Sequence, residues 1–384
     1  MLQSLHVLDL SRLLPGPFCT LILSELGAEV VKVEDTGIGD YLRHFPPQKE
    51  GLGGAFYALN RGKRSVAINL KHPEGRDLLL RMVPGFDVVL ESYRPGVLQR
   101  LGLGFEVLRQ ARPDLVLCSI TGYGQDGPLA GRAGHDIDYL ALSGVLASGG
   151  AAGGPPALPG VQIADVAGGA LWATIRILAA LHAGGGVQLD VSMTEGAMAF
   201  LLPWLGDMAF GGAPLRRGQA TLNGGAACYD SYRCADDGYL AVGALEPKFF
   251  SALVQALGLG TDGALNNPMA APGEQAEQRR RLAQVFATQD RDAWARQLAG
   301  ADVCVEPVLQ MEQLADHPQH RERGMFYTID DPQRGAVPQL RLPGSTHPAT
   351  TAAPRQGEHT DTVLAALGIE AAELVRLRQA GIIR

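Results

Sequence analysis

Short apolar runs alternate with amphipathic stretches over the first 125 residues. Leu5–Leu10, Glu29–Glu34, Ser65–Leu70, Asp87–Ser92 and Asp114–Ile120 read as strands. Phe18–Leu26 and Gly75–Met82 read as helices, the second after the helix-starting pair His72-Pro73, and Glu106–Ala111 as a helical turn. The strand-like runs are apolar almost throughout, as strands covered on both faces are. The pattern predicts an α/β unit built on a parallel sheet.

Helices dominate the middle of the chain: His135–Ala147, Asp165–His182 and Gly196–Phe210, with a further strand at Val187–Ser192. The character changes near Asn223. Tyr229–Arg233 and Tyr239–Ala244 read as a β-hairpin turning at Asp237-Gly238, followed by charged helices between Gln275 and Leu298 and a strand at Val303–Leu309. The tail has a strand-like Gln339–Leu342, and Gly357-Glu-His-Thr360 opens a helix. No repeat of fixed period occurs.

Composition narrows the class. With 384 residues, 46% hydrophobic and 19% charged, the chain can bury a large core and is not a disordered one. The net charge of −7 argues against a protein that mainly grips nucleic acid or an anionic membrane. The apolar stretch Ala197–Phe210 is interrupted by Pro203 and Asp207 and is too short to span a bilayer. Five scattered cysteines, without a CxxC pair, fit neither a disulfide framework nor a zinc site, so a reducing cytosol and no metal are expected. His317 and His320 lack a third ligand nearby.

Several residue groups admit both a chemical and a purely structural reading. Gly122-Tyr-Gly-Gln-Asp-Gly127 fits GxGxxG after a strand, but Pro128, Gly131 and Gly134 follow, so no helix starts there to hold a dinucleotide. A mobile glycine loop covering a ligand is the better reading. Arg43, Arg61, Lys63, Arg64, Arg94 and Arg100 lie at or near strand ends, where parallel sheets bind ligands; together they suggest a polyphosphate, singly they suit solvated surface charge. His135 opens a helix whose dipole disfavours its cation, leaving it able to accept a proton; taken alone, a capping cluster with Asp136 is the better reading. Asp165 lies in apolar surroundings before a helix, as a perturbed acid or a plain N-cap. The adjacent Gly168-Gly169 favour function, since glycines let a substrate come close. Glu246, before Pro247, likewise reads as a cap.

The motifs taken in order resemble those of the family III CoA-transferases, a family that includes the α-methylacyl-CoA racemases. The segments are Leu8-Asp-Leu-Ser-Arg12 with Gly16-Pro17, Leu26–Glu34, Asn60-Arg-Gly-Lys-Arg-Ser65, Tyr93-Arg-Pro-Gly96, Gly122–Pro128, Asp165-Val-Ala-Gly-Gly169 and Gly357-Glu-His-Thr360. The resemblance covers nearly the whole chain. It implies a Rossmann-like large domain over residues 1–215, completed by the returning segment 326–384, with a small α+β domain over 216–325. It also implies an interlocked homodimer, a CoA thioester as substrate and no cofactor.

Gly134-His135-Asp136 is similar to the racemase branch. The resemblance then makes His135 and Asp165 the two catalytic bases, with Glu246 as an auxiliary acid. Arg43, Lys63, Arg94, Arg100, Asp136 and Tyr139 fall on CoA-contacting positions. Asp138 and Val161 depart from the Asn that the branch carries. The implied reaction is epimerisation at the α-carbon of a 2-methyl-branched acyl-CoA, through an enolate whose oxygen is held by backbone N–H groups around Asp165. The alternative within the family is CoA transfer, with Asp165 as the nucleophile. A third class, CoA binding without turnover, would leave both reactive positions idle.

Overall fold

Six of the apolar runs pair into one sheet in the computed structural model, which describes residues 1–260 and 262–384. The strands are β1 (His6–Asp9), β2 (Glu29–Glu34), β3 (Arg64–Ala67), β4 (Val88–Glu91), β5 (Val116–Thr121) and β6 (Val187–Ser192). All pair in parallel, in the order β3-β2-β1-β4-β5-β6. β4 and β5 are buried at every position, which explains why apolar residues dominate them. The sequence-predicted parallel α/β sheet is therefore present. Between β1 and β4 the strand order reverses; a crevice opens at such a switch point, beyond the carboxyl ends of the strands.

The chain clusters into two compact units. The first comprises Met1–Ser143, Gly160–Phe200 and Pro318–Arg384; the second comprises Gly144–Pro159 and Leu201–His317. Residues 144–159 and 201–215, which the sequence reading groups with the large domain, cluster in the second unit. The core of the first unit packs Leu8, Val31, Val66, Val89 and Leu117 of the sheet against Leu79, Met82 and the C-terminal Leu374 and Leu377. Gly357-Glu-His-Thr360 borders β3: the N–H of Gly357 donates to Ser65 Oγ at 3.0 Å and that of Ala67 to Thr360 Oγ1 at 3.1 Å. The motif thus satisfies edge groups of the sheet.

In the second unit β7 (Tyr229–Arg233), β8 (Tyr239–Gly243) and β9 (Val305–Pro307) form an antiparallel sheet. It shares a core with helices Pro247–Ala256, Pro272–Phe286 and Arg291–Leu298 through Phe250, Phe286 and Trp294. The first unit also has an antiparallel pair, β10 (Phe326–Asp331) with β11 (Gly335–Leu340); the sequence reading sees only the end of β11.

Three predicted helices are broken. His135–Ala147 divides into the helices Asp136–Ser143 and Val145–Ser148, because Gly144 between them takes a left-handed φ of 86°. Gly196–Phe210 resolves into Met193–Met198 and Leu202–Ala209, joined by a tighter turn. Asp165–His182 is a π-helix over Ala164–Leu171 that continues as an α-helix over Trp172–His182. This combined helix is long and apolar enough to cross a membrane by length and composition. Within the first unit one side of it packs against helix Pro15–Glu25 and against β5.

Candidate active site

The first unit has a cleft of about 720 Å³ at the switch point. Arg12 and Leu13 line it after β1, Ser92, Tyr93 and Arg94 after β4, and Thr121 and Gly122 at the end of β5. The opposite wall is Arg132–His135, Asp138, Tyr139, Asp165 and Met193. The second unit has a larger depression, of about 960 Å³, in which Arg279 is already paired with Asp230 at 2.6 Å. None of the predicted site residues lines it.

His135 and Asp165 share the cleft. His135 precedes the helix Asp136–Ser143, and its main-chain N–H donates to Asp138 Oδ2 at 2.9 Å. Asp138 therefore closes the helix start from within, the reach-back half of a capping box. Asp165 sits in the first turn of the π-helix, a rare element that often marks functional sites. Its carboxyl does not cap the helix. Among the described residues, neither the Asp165 carboxyl nor the His135 ring has a hydrogen-bond or ion-pair partner within the chain. Burial and the neighbouring Asp136 carboxylate push the Asp165 carboxyl up to about 6, against the pull of His135.

The other predicted residues divide. Arg94 lines the cleft and is exposed; Arg100, also exposed, stands just after it, with its guanidinium near Gly96. Tyr139 is buried in the cleft wall, with its hydroxyl donated to Gly134 O at 2.5 Å and its ring edge-on to Tyr123. Asp136 is not among the lining residues of the cleft, and its Oδ1 accepts from the N–H of Asp165 at 2.9 Å. Glu246 belongs to the second unit, exposed at the start of helix Pro247–Ala256, with no side-chain capping bond. Val161 is exposed at 66%.

Two predicted CoA contacts are corrected. Lys63 is fully buried: Nζ reaches Thr20 Oγ1 at 2.7 Å, Pro17 O at 2.9 Å, Asn60 Oδ1 at 3.0 Å and Asp9 Oδ2 at 3.3 Å. Arg43 is buried with both guanidinium edges committed, to Glu34 at 2.6 and 2.7 Å and to Pro354 O at 2.9 Å, its face against Phe56. Both cations are consumed inside the fold. Arg61, from the same basic cluster, is likewise buried on Glu25.

Two local readings are corrected as well, and the glycine loop is anchored at one end. Gly168 does not make room for a ligand: a Cβ there would lie 2.5 Å from Met193 O, and one on Gly196 2.0 Å from Gly168 O. The glycines let the π-helix meet the helix Met193–Met198 backbone to backbone. The glycine loop is pinned at its start: Gly124 N–H donates to Thr121 Oγ1 at 3.0 Å and Gln125 N–H to Asp190 Oδ2 at 2.9 Å. The Asp165 N–H, expected near an enolate oxygen, is taken by Asp136.

A sequence model of CoA-transferase family III matches residues 2–360. The chain belongs to that family. It is 38% identical over 390 aligned positions to the alpha-methylacyl-CoA racemase of Homo sapiens, covering 100% of this chain and 97% of the relative. It is 31% identical to the human succinyl-CoA:glutarate CoA-transferase, over 94% of this chain and 85% of the relative. A solved CaiB/BaiF family protein from Brucella suis superposes with a TM-score of 0.81 at 31% identity, covering 94% of this chain and 98% of that one.

Proposed function

We propose that this member of the family epimerises the α-carbon of 2-methyl-branched acyl-CoA thioesters, with His135 and Asp165 as the two proton-transfer groups. The observation that carries the proposal is the pair itself: an imidazole and a carboxyl near 6, lining one cleft, neither hydrogen-bonded nor ion-paired through its side chain among the described residues. The identity to racemases over the whole chain supports the substrate class.

The α-proton of a thioester is weakly acidic, so a base must act while the developing enolate is stabilised. For one epimer His135 takes the α-proton, breaking the C–H bond, and the electron pair moves onto the thioester oxygen as an enolate. Protonated Asp165 delivers its proton to the opposite face, forming the C–H bond of the other epimer. The reverse reaction exchanges the roles. A carboxyl held near 6 is protonated often enough to donate and ionised often enough to accept near neutral pH. Arg94 and Arg100, with Tyr139, contact the CoA portion in this reading.

A second reading has one observation in its favour. The Asp165 carboxylate also suits nucleophilic attack on a thioester: a mixed anhydride forms as the CoA thiolate leaves, the thiolate attacks the aspartyl carbonyl and expels the first acid, and a second carboxylate takes CoA from the aspartyl-CoA thioester by the same steps in reverse. Incubation with (S)-2-methylacyl-CoA in D2O, without a free acid, separates the two. Deuterium at the α-carbon together with the R epimer supports epimerisation. No exchange, but CoA transfer once succinate is added, overturns it in favour of transfer.

The working form we propose is a homodimer. Apolar side chains of the helix Leu202–Ala209 and of the residue after it stand in solvent, with Leu202 at 69% and Phe210 at 96% exposure. A second copy would cover them. Light scattering on the eluted protein tests this: a mass of one chain overturns it.

A further inference from the structure

Arg12, immediately beyond β1, is a cleft residue that the basic cluster of the sequence reading does not include. Its main-chain N–H donates to Ser92 Oγ at 3.2 Å, which ties the end of β1 to the end of β4. Its guanidinium carbon lies 5.3 Å from the ring centre of Tyr41 and 5.5 Å from that of Tyr93. Nη1 donates to Tyr41 Oη at 3.1 Å, and Nη2 is 3.7 Å from Asp35 Oδ2, near the limit of an ion pair. Two aromatic rings thus hold the planar group in place while leaving fork donors for a further acceptor. Holding a long side chain in advance removes part of the ordering cost of binding.

The balance of charge in the cleft names the acceptor. Arg12, Arg94 and Arg132 line it against Asp138 and Asp165. Neither Arg94 nor Arg132 has an ion-pair partner among the described residues. We propose that Arg12 is a further phosphate-holding residue of this cleft, clamped by Tyr41 and Tyr93 so that its fork meets a phosphate of CoA. This rests on the reading of the cleft as a CoA site.

The test compares wild type, Arg12→Met and Arg12→Lys by titration calorimetry with CoA, 3′-dephospho-CoA and an acyl-pantetheine thioester that carries no phosphate. Arg12→Met is expected to weaken CoA binding by about tenfold or more, the worth of a charged hydrogen bond. Arg12→Lys, which keeps the charge and loses the fork, falls between. Acyl-pantetheine binds all three proteins alike. If dephospho-CoA no longer distinguishes the variants, the partner is the 3′-phosphate; if it does, the partner is the pyrophosphate. Equal CoA affinity in wild type and Arg12→Met overturns the proposal. So does an equal loss for CoA and acyl-pantetheine, which would make Arg12 a support of the loop. Wild type that binds no CoA would instead overturn the functional reading beneath it.

Discussion

The main-chain N–H of Asp165 donates to the carboxylate of Asp136 at 2.9 Å, across 29 residues of sequence. The bond joins the first turn of the π-helix to the first turn of the helix that follows His135, so it sets the spacing of the two proposed bases. It also brings a fixed negative charge to Asp165. Burial raises the Asp165 carboxyl most, and Asp136 raises it further.

Asp136→Asn keeps an oxygen acceptor for that N–H and removes the charge. The carboxyl of Asp165 should then titrate lower than about 6. A two-base enzyme works with one proton shared between its groups, so kcat/KM is bell-shaped and its limbs belong to the pair. The expected outcome is a profile displaced toward lower pH, identical for both epimers because their equilibrium constant has no pH dependence. A profile measured from pH 5 to 9 that stays in place would show that Asp165 does not sense Asp136.

The single-base variants separate exchange from inversion. Asp165→Asn and His135→Gln should each lower inversion by at least ~100-fold, the usual worth of a positioned acid or base. Each should still wash deuterium into one epimer without inverting it, since one face of the α-carbon retains its base. The two variants should act on opposite epimers. Exchange of the same epimer by both would place the two groups on one face.

The buried cations are structural, which separates Lys63 from the ligand. Lys32 and Lys63 are both sequestered with Asp9 and Asp40, and Lys32 Nζ lies 3.0 Å from Asp40 Oδ2. Burial works against ionisation of Asp9, but Lys32 and Lys63 together with hydrogen bonds from Ser11 and Thr20 outweigh it and hold its carboxyl down at about 2. Asp9→Asn strips the buried Lys63 ammonium of its ion-pair partner, while Lys32 keeps Asp40, and should cost about 3–5 kcal/mol in urea unfolding. Lys63→Met should destabilise the protein as well, while the folded fraction keeps wild-type affinity for CoA. A lowered affinity with unchanged stability would return Lys63 to the ligand site.

Much of the sheet was legible because parallel strands announce themselves as apolar runs. β1, β2 and β4 through β6 fall within a few residues of the expected limits, since burial on both faces leaves little ambiguity. His135 and Asp165 were legible through motif order, and neither from its own surroundings. Lys63 was misread because its partner Asp9 lies 54 residues away, so the sequence around it looks like ordinary surface charge. Arg12 escaped notice for a similar reason: its clamp is assembled from Tyr41 and Tyr93, which only the sheet brings together. The π-helix leaves no periodic signature over eight residues and reads as the start of a longer α-helix.

Glu91 ends β4 one residue before the cleft-lining Ser92, and its carboxyl is buried with the N–H of Tyr93 donating to Oε2 at 2.6 Å. Burial, aided by the charge of Asp190, pushes it from 4.5 up to about 7, against the hydrogen bonds from Ser119 and Tyr93. The folded-state pKa is raised, so the native protein binds more protons than the unfolded chain between these two values. The contribution of Glu91 to stability is therefore full below about 4.5, falls as pH rises toward about 7, and is lost above it. The penalty at pH 8 is about 3 kcal/mol at most. Glu91→Gln removes this titration and keeps a carbonyl acceptor for Tyr93. Its stability relative to wild type should rise between pH 5 and pH 8 in urea titrations, while every other titrating group cancels in the comparison. A difference that does not change with pH would mean that Glu91 is ionised throughout and that the N–H of Tyr93 and the hydroxyl of Ser119 compensate its burial.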